Sequence, residues 1–164
     1  MSLGLGAGLS ACTMQTAARP NQGLNGSVRN LVVAVTPDKG EGASYRQGEA
    51  VRLRVGVQEP GYLTLVARQP NGSAQVLVRD VPLERGTYIF PRDGQDDTFA
   101  AALKNLPQGR QAMRAIFTRQ RPATELVVTG VYDQNRWNAV GYQDFRQLSA
   151  ADRDVQETYF QIVP

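Results

Sequence analysis

The densest acidic stretch of the sequence is Arg92-Asp93-Gly94-Gln95-Asp96-Asp97, with three carboxylates in five residues. Clustered carboxylate oxygens suit a hard cation such as calcium. The spacing lacks the alternate-position ligands and the distant Glu of an EF-hand loop. A polar loop with Asp96 or Asp97 capping a helix is the stronger expectation, and no metal site is assigned. Glu49, Glu59, Glu125 and Glu157 could supply the carboxylate pair of a glycoside hydrolase, whose partners need be close only in space. Each starts or flanks an expected strand, where surface duty explains it. The chain contains no histidine. That absence removes Ser-His-Asp and Cys-His nucleophile systems and imidazole-based metal sites. Acid/base work would fall to carboxylates, Lys or Tyr. We therefore expect no catalytic residues, no cofactor and no enzymatic activity.

The single tryptophan lies in Asn135-Arg136-Trp137-Asn138, after an expected hairpin tip at Asp133-Gln134-Asn135. An exposed Trp can stack on a sugar ring or anchor an interface. With Tyr132 and Tyr142 it would form an aromatic contact patch for carbohydrate or peptidoglycan. A core Trp in a sandwich is the ordinary alternative.

Cys12 is the only cysteine, so an intrachain disulfide is impossible. It ends the small, apolar, uncharged segment 1–12, whose Leu9-Ser10-Ala11-Cys12 resembles a bacterial lipobox. In that family the signal peptidase cuts before the cysteine and the thiol carries a diacylglycerol. The resemblance implies export and a lipid anchor at Cys12, since several acyl chains hold a protein at a membrane where one is marginal. The segment departs from the usual pattern, because no Lys or Arg precedes Arg19 and a signal peptide begins with a positive region. Gly4-x-Gly6-x-Gly8 follows no strand and opens no β-α-β unit, so it is no dinucleotide loop. Residues 13–30 have the Gly, Asn, Gln and Thr content of a flexible linker.

Net charge is +3, and all the basic residues except Lys39 and Lys104 are arginines. They are dispersed, with Arg119-Gln120-Arg121 the tightest group. A nucleic-acid surface would show a basic stripe with interleaved aromatics, so nucleic acid is not an expected partner.

Residues 31–164 should form one β domain. Val51-Arg52-Leu53-Arg54-Val55-Gly56-Val57 alternates apolar with polar, the pattern of a half-buried strand. Further strands are expected at Leu31–Val35, Tyr62–Ala67, Gln75–Val81, Thr87–Phe90, Gln111–Thr118, Glu125–Tyr132, Ala139–Phe145 and Glu157–Val163. Turn signals separate them at Pro37–Gly40, Glu59–Gly61 and Pro70–Ser73. Two short helices are expected. One covers Thr98–Leu106 behind Asp97, and the other covers Ala150–Val155 behind a Ser149/Asp152 capping pair. Eight or nine short strands with these helices predict an antiparallel β-sandwich, with a closed barrel as the alternative.

Tyr45-x-x-Gly48-Glu49, then a strand, then Gly61-Tyr62-Leu63, then a strand and Asn71-Gly72 resembles a bacterial family of unknown function. Its members carry Y-x-x-G-E, G-Y-L and an N-G or D-G turn. The resemblance covers about residues 30–120. It implies an Ig-like sandwich in exported lipoproteins or as an accessory module, with no catalytic residues. In physical terms, Gly48 and Gly61 should take turn conformations that a Cβ would hinder. Tyr45 and Tyr62 should cover a sheet edge with their hydroxyls outward, and Glu49 should open a strand. The expected function is non-catalytic. The chain would be a lipid-anchored envelope module that binds another envelope protein through a sheet face, an edge or a loop cluster.

Overall fold

The computed structural model describes residues 30–164. Cys12, the lipobox-like segment and the linker as far as residue 29 lie outside the described residues. The described chain runs β1 (Val32–Pro37), β2 (Ser44–Arg46), β3 (Leu53–Val57), β4 (Gly61–Arg68), β5 (Ala74–Leu83), β6 (Gly86–Phe90), α1 (Asp97–Lys104), β7 (Gly109–Thr118), α2 (Gln134–Ala139), a 3-10 turn (Ala150–Asp152) and β8 (Arg153–Val163). The chain is mostly β, as the alternation predicts.

Two sheets face each other. The smaller has the order β1-β3-β6 and the larger β2-β8-β7-β4-β5. Leu53, Val55 and Val57 point inward from β3 while Arg54 stays exposed. They meet Leu63, Leu65, Met113, Ala115, Phe117, Phe160 and Ile162 from the larger sheet in one core. Helix α1 adds Phe99 and Leu103 to that core, and Leu106 follows from the loop behind it. Asp96, one of the two expected caps, occupies the cap position, but its side chain makes no capping bond.

One pairing departs from an all-antiparallel sandwich. β2 runs parallel to β8, with Tyr45 opposite Ile162. The loop 38–43 carries the chain from the small sheet to the edge of the large one, where Gly42 N–H donates to the Tyr159 carbonyl at 2.8 Å and Gln161 N–H donates to the Ala43 carbonyl at 2.9 Å.

The large sheet is buried on both faces. Residues 119–152 cross its outer face and pack Leu126, Val128, Tyr132, Trp137, Val140 and Phe145 onto Val66, Ala112, Ile116 and Val155. Two expected strands are absent from this layer. Glu125–Tyr132 does alternate buried Leu126 and Val128 with exposed Val127, but it finds no strand partner beyond the bridge from Val131 to Ser73. Lying across a sheet satisfies the same alternation as joining one. Ala139–Phe145 is a run of turns closed by Tyr142 N–H on the Ala139 carbonyl and Leu148 N–H on the Phe145 carbonyl. The expected hairpin tip is a helix start instead, because the Asp133 carboxylate accepts from Arg136 N–H at 2.8 Å and caps α2. The expected helix behind Ser149 is shorter than predicted. The Ser149 hydroxyl reaches Asp152 at 3.0 Å, but from Arg153 onward the chain pairs with β7.

Candidate functional site

A groove of about 390 Å³ opens at the end of the small sheet where β3 begins and β6 ends. It brings together two stretches that stand 40 residues apart in the chain: the Gly48–Arg52 segment and the acidic loop after β6, with α1 as its third wall. The Phe90–Pro91 bond at the start of that loop is cis. Ala50, Val51, Ala100 and Leu103 are the groove's apolar lining, with Val51 and Leu103 buried. Arg52, Asp93, Asp97 and Lys104 stand on the rim, all exposed. Among the described residues none of these four is engaged in an ion pair.

The Tyr45/Gly48/Glu49 motif builds one side of this groove. Gly48 has φ +83° with open space around it, so the backbone conformation, not crowding, requires glycine there. Glu49 N–H donates to the Arg46 carbonyl at 2.9 Å, and Arg46 N–H donates back to Glu49 Oε1 at 2.9 Å. Lys39 Nζ closes the turn with an ion pair to the same carboxylate. The Lys39 hydrogen bond, followed by the Arg46 amide, holds the Glu49 carboxyl below its ordinary range. Glu49 thus locks the turn before β3 and does not begin the strand.

Tyr45 is fully buried, against the expectation of an edge cover with its hydroxyl outward. Its ring meets Phe160 edge-on at 5.3 Å between centroids. Its hydroxyl donates to Asp38 at 2.6 Å and accepts from Lys39 N–H at 3.0 Å. Burial first, and then the bond to Asp38, push this hydroxyl well above the ordinary phenol value. Tyr62 is half-buried on β4 with Arg121 over its ring at 4.9 Å. Gly61 has no turn conformation. A Cβ there would meet the Thr118 carbonyl at 2.5 Å and the Phe117 ring at 2.6 Å, so close strand approach excludes a side chain.

The acidic loop is organised by one ion pair. Asp96 takes Arg92 Nε at 2.9 Å, Arg92 Nη2 at 2.8 Å and the Arg92 backbone N–H at 2.7 Å. Burial alone would raise this carboxyl, but the Arg92 side-chain and backbone bonds outweigh it and hold the carboxyl below its ordinary range. Among the described residues no group of three acidic or thiol side chains is arranged to hold a metal ion. A depressed folded-state value means that the ionised form stabilises the fold above the ordinary carboxylate range, and that this contribution is lost as pH falls through the folded-state value. Asp96→Asn should therefore cost about 1.5–3 kcal/mol at pH 7, and the difference from wild type should shrink as pH falls below the ordinary carboxylate range and through the folded-state value. Urea denaturation over a descending pH series reads it.

No protein-family model, no curated protein and no solved structure matches the chain.

The aromatic patch expected on the surface is not there. Trp137 is fully buried, and Tyr132 is buried beside it. Tyr142 is half-buried, and burial raises its hydroxyl above the ordinary value. The correction has a physical reason. The indole fills the space under α2, and its Nε1–H donates to Glu157 at 3.1 Å, so the polar atom that would favour the surface is satisfied inside. Trp137 emission should accordingly be blue-shifted and at least several-fold less quenched by iodide than a free indole. Iodide quenching of the native protein checks this directly.

The four glutamates considered for hydrolysis are each in an ion pair. Glu49 pairs with Lys39, Glu59 with Arg119 at 3.1 Å, Glu125 with Arg79 at 3.3 Å and Glu157 with Arg114. Sequence reasoning missed a heavily bonded side chain. Arg114, buried on β7, donates Nη1 to the Trp137, Asn138 and Val140 carbonyls at 2.7, 3.2 and 2.9 Å, and Nε to Glu157 at 3.0 Å. The available signal was the loss of alternation in Gln111–Thr118, which marks a strand covered on both faces.

Proposed function

We propose that the chain is a non-catalytic binding module with an Ig-like sandwich, anchored at the cell envelope through Cys12, which docks a segment of another envelope protein in the groove between the Gly48–Arg52 turn and the acidic loop. The observation that carries the reading is the groove itself. Apolar lining from Ala50, Val51, Ala100 and Leu103 lies beside exposed charges of both signs. That composition matches a protein surface, where a few apolar contacts are buried inside a polar border. The carboxylates and arginines with strong partners support the frame around it, which leaves the exposed rim groups to an incoming chain. The family resemblance, with its Y-x-x-G-E turn forming one wall, agrees with an accessory role.

The test uses the natively expressed protein recovered from detergent-solubilised envelope. Arg52→Glu combined with Asp93→Lys reverses two exposed rim charges and leaves the net charge unchanged. Wild type should recover a defined protein partner that the double variant loses. Recovery as a lone monomer in several mild detergents would count against docking. Intact mass of the same material tests the anchor, which requires Cys12 as first residue carrying acyl chains.

A further inference from the structure

A second concave site lies on the opposite side of the large sheet, beyond the edge of the layer formed by residues 119–152. Arg68 on β4 stands opposite Ala112 on β7. Arg110 is two residues along β7 on the same face, hence diagonal to Arg68 and roughly 7–8 Å from it by sheet geometry. The small Ala112 side chain between them leaves a hollow of about 410 Å³ whose inner end is closed by Trp137 and Glu157.

The arginines here differ in what occupies them. Arg114 is consumed by Glu157 and three carbonyls. Arg68 is held in place by Nε–H on the Tyr132 carbonyl at 2.9 Å and Nη1 toward Gln134 Oε1 at 3.5 Å, both neutral acceptors. The Arg110 guanidinium carbon stands 3.9 Å from the centroid of the Tyr159 ring, and among the described residues no carboxylate pairs with it. A cation–π contact holds a guanidinium near the ring without using its N–H donors, which stay available to an acceptor. The hollow therefore holds two positioned cations beyond the one that Glu157 balances, and a concave wall focuses their field.

We infer that this hollow binds a phosphate group, bridged between Arg68 and Arg110. A carboxylate offers one edge, which a single guanidinium satisfies in bidentate fashion. Two forks on opposite sides of a gap suit a tetrahedral anion with oxygens facing both ways. The site is separate from the groove at the acidic loop and does not depend on it. The phosphate would come from a soluble phosphate ester or from a phospholipid headgroup.

The test is a titration of the full chain with inorganic phosphate at constant ionic strength, read by NMR at the arginine Nε–H groups and the Trp137 indole N–H. Saturable shifts are expected at Arg68, Arg110 and Trp137. Arg110→Gln should weaken the affinity about tenfold or more, as loss of a charged hydrogen-bond donor does. Arg54→Gln, an equal charge loss on the exposed face of the small sheet, should leave it unchanged. Sedimentation with phosphatidic acid vesicles, against phosphatidylcholine vesicles, separates the sources. Binding that Arg110→Gln abolishes names a lipid headgroup, and phosphate binding without vesicle binding names a soluble ester. Shifts spread evenly over the exposed arginines, shifts reproduced by chloride, or an unchanged affinity in Arg110→Gln would each overturn the proposal.

Discussion

Arg114→Ala is expected to cost the domain about 3 kcal/mol, the lower end of the penalty for breaking a buried ion pair, because the Glu157 side chain keeps partial access to water. The variant would remove the guanidinium that balances the Glu157 carboxylate and leave three carbonyls of the α2 segment without their shared donor. The guanidinium also lies 4.8 Å from the Trp137 ring centroid, so a cation–π contact goes with it. The loss is concentrated where the 119–152 layer meets the sheet. That layer should loosen while the two-sheet core persists, and Trp137 should shift to the red and become open to iodide. Arg114→Lys should recover less than half of the loss. A single ammonium cannot engage Glu157 through two nitrogens and reach three carbonyls as well. Denaturant unfolding followed by Trp137 emission and by far-ultraviolet circular dichroism separates these outcomes.

Asp154→Ala should be the second large effect, roughly 3–5 kcal/mol. Asp154 is fully buried at the start of β8, and its Oδ2 accepts from both Leu31 N–H and Val32 N–H at 2.8 Å. It joins the first core residues of the described chain to its last strand, across more than 120 residues. Each buried amide left without an acceptor costs about 1–3 kcal/mol. Asp154→Asn should retain most of the stability, because one oxygen serves both amides and an Asn carbonyl supplies it. Burial raises the Asp154 carboxyl above its ordinary value, despite the bonds from Val32, Gln156, Leu31 and Val155 that oppose it. A raised folded-state value means that the protonated form is the favoured one in the fold. Its contribution is complete below the ordinary carboxylate range and is lost as pH rises through the folded-state value. The penalty of Asp154→Asn, which does not ionise, should therefore narrow from acid to neutral pH. Amide exchange at Leu31 and Val32 should accelerate in the Ala variant ahead of the remaining core.

The parts of the fold that follow from local pattern were legible in the sequence. The alternation of Val51–Val57 and the turns at Pro37–Gly40 and Pro70–Ser73 lead to β1, β3, β4 and β5. Phe99 and Leu103, followed by Leu106 and Pro107, lead to α1. What escaped depends on long-range placement. Leu126 and Val128 have strand periodicity, yet they lie on the outside of an existing sheet. Trp137 sits among Asn and Arg, which suggests a surface, and only the distant Glu157 makes its burial favourable. The groove joins the Y-x-x-G-E turn with the acidic loop, two stretches that were visible separately. Their juxtaposition comes from Leu53 pairing with Phe90, which no local pattern states.

The most direct test of the docking account is photo-crosslinking in the native host. A benzophenone amino acid replaces exposed Asp93 on the groove rim in one strain and exposed Arg54 on the small sheet in another. The account predicts a single crosslinked protein adduct in the envelope fraction from position 93 and none from position 54. No adduct from position 93, or equal adducts from both positions, would contradict it.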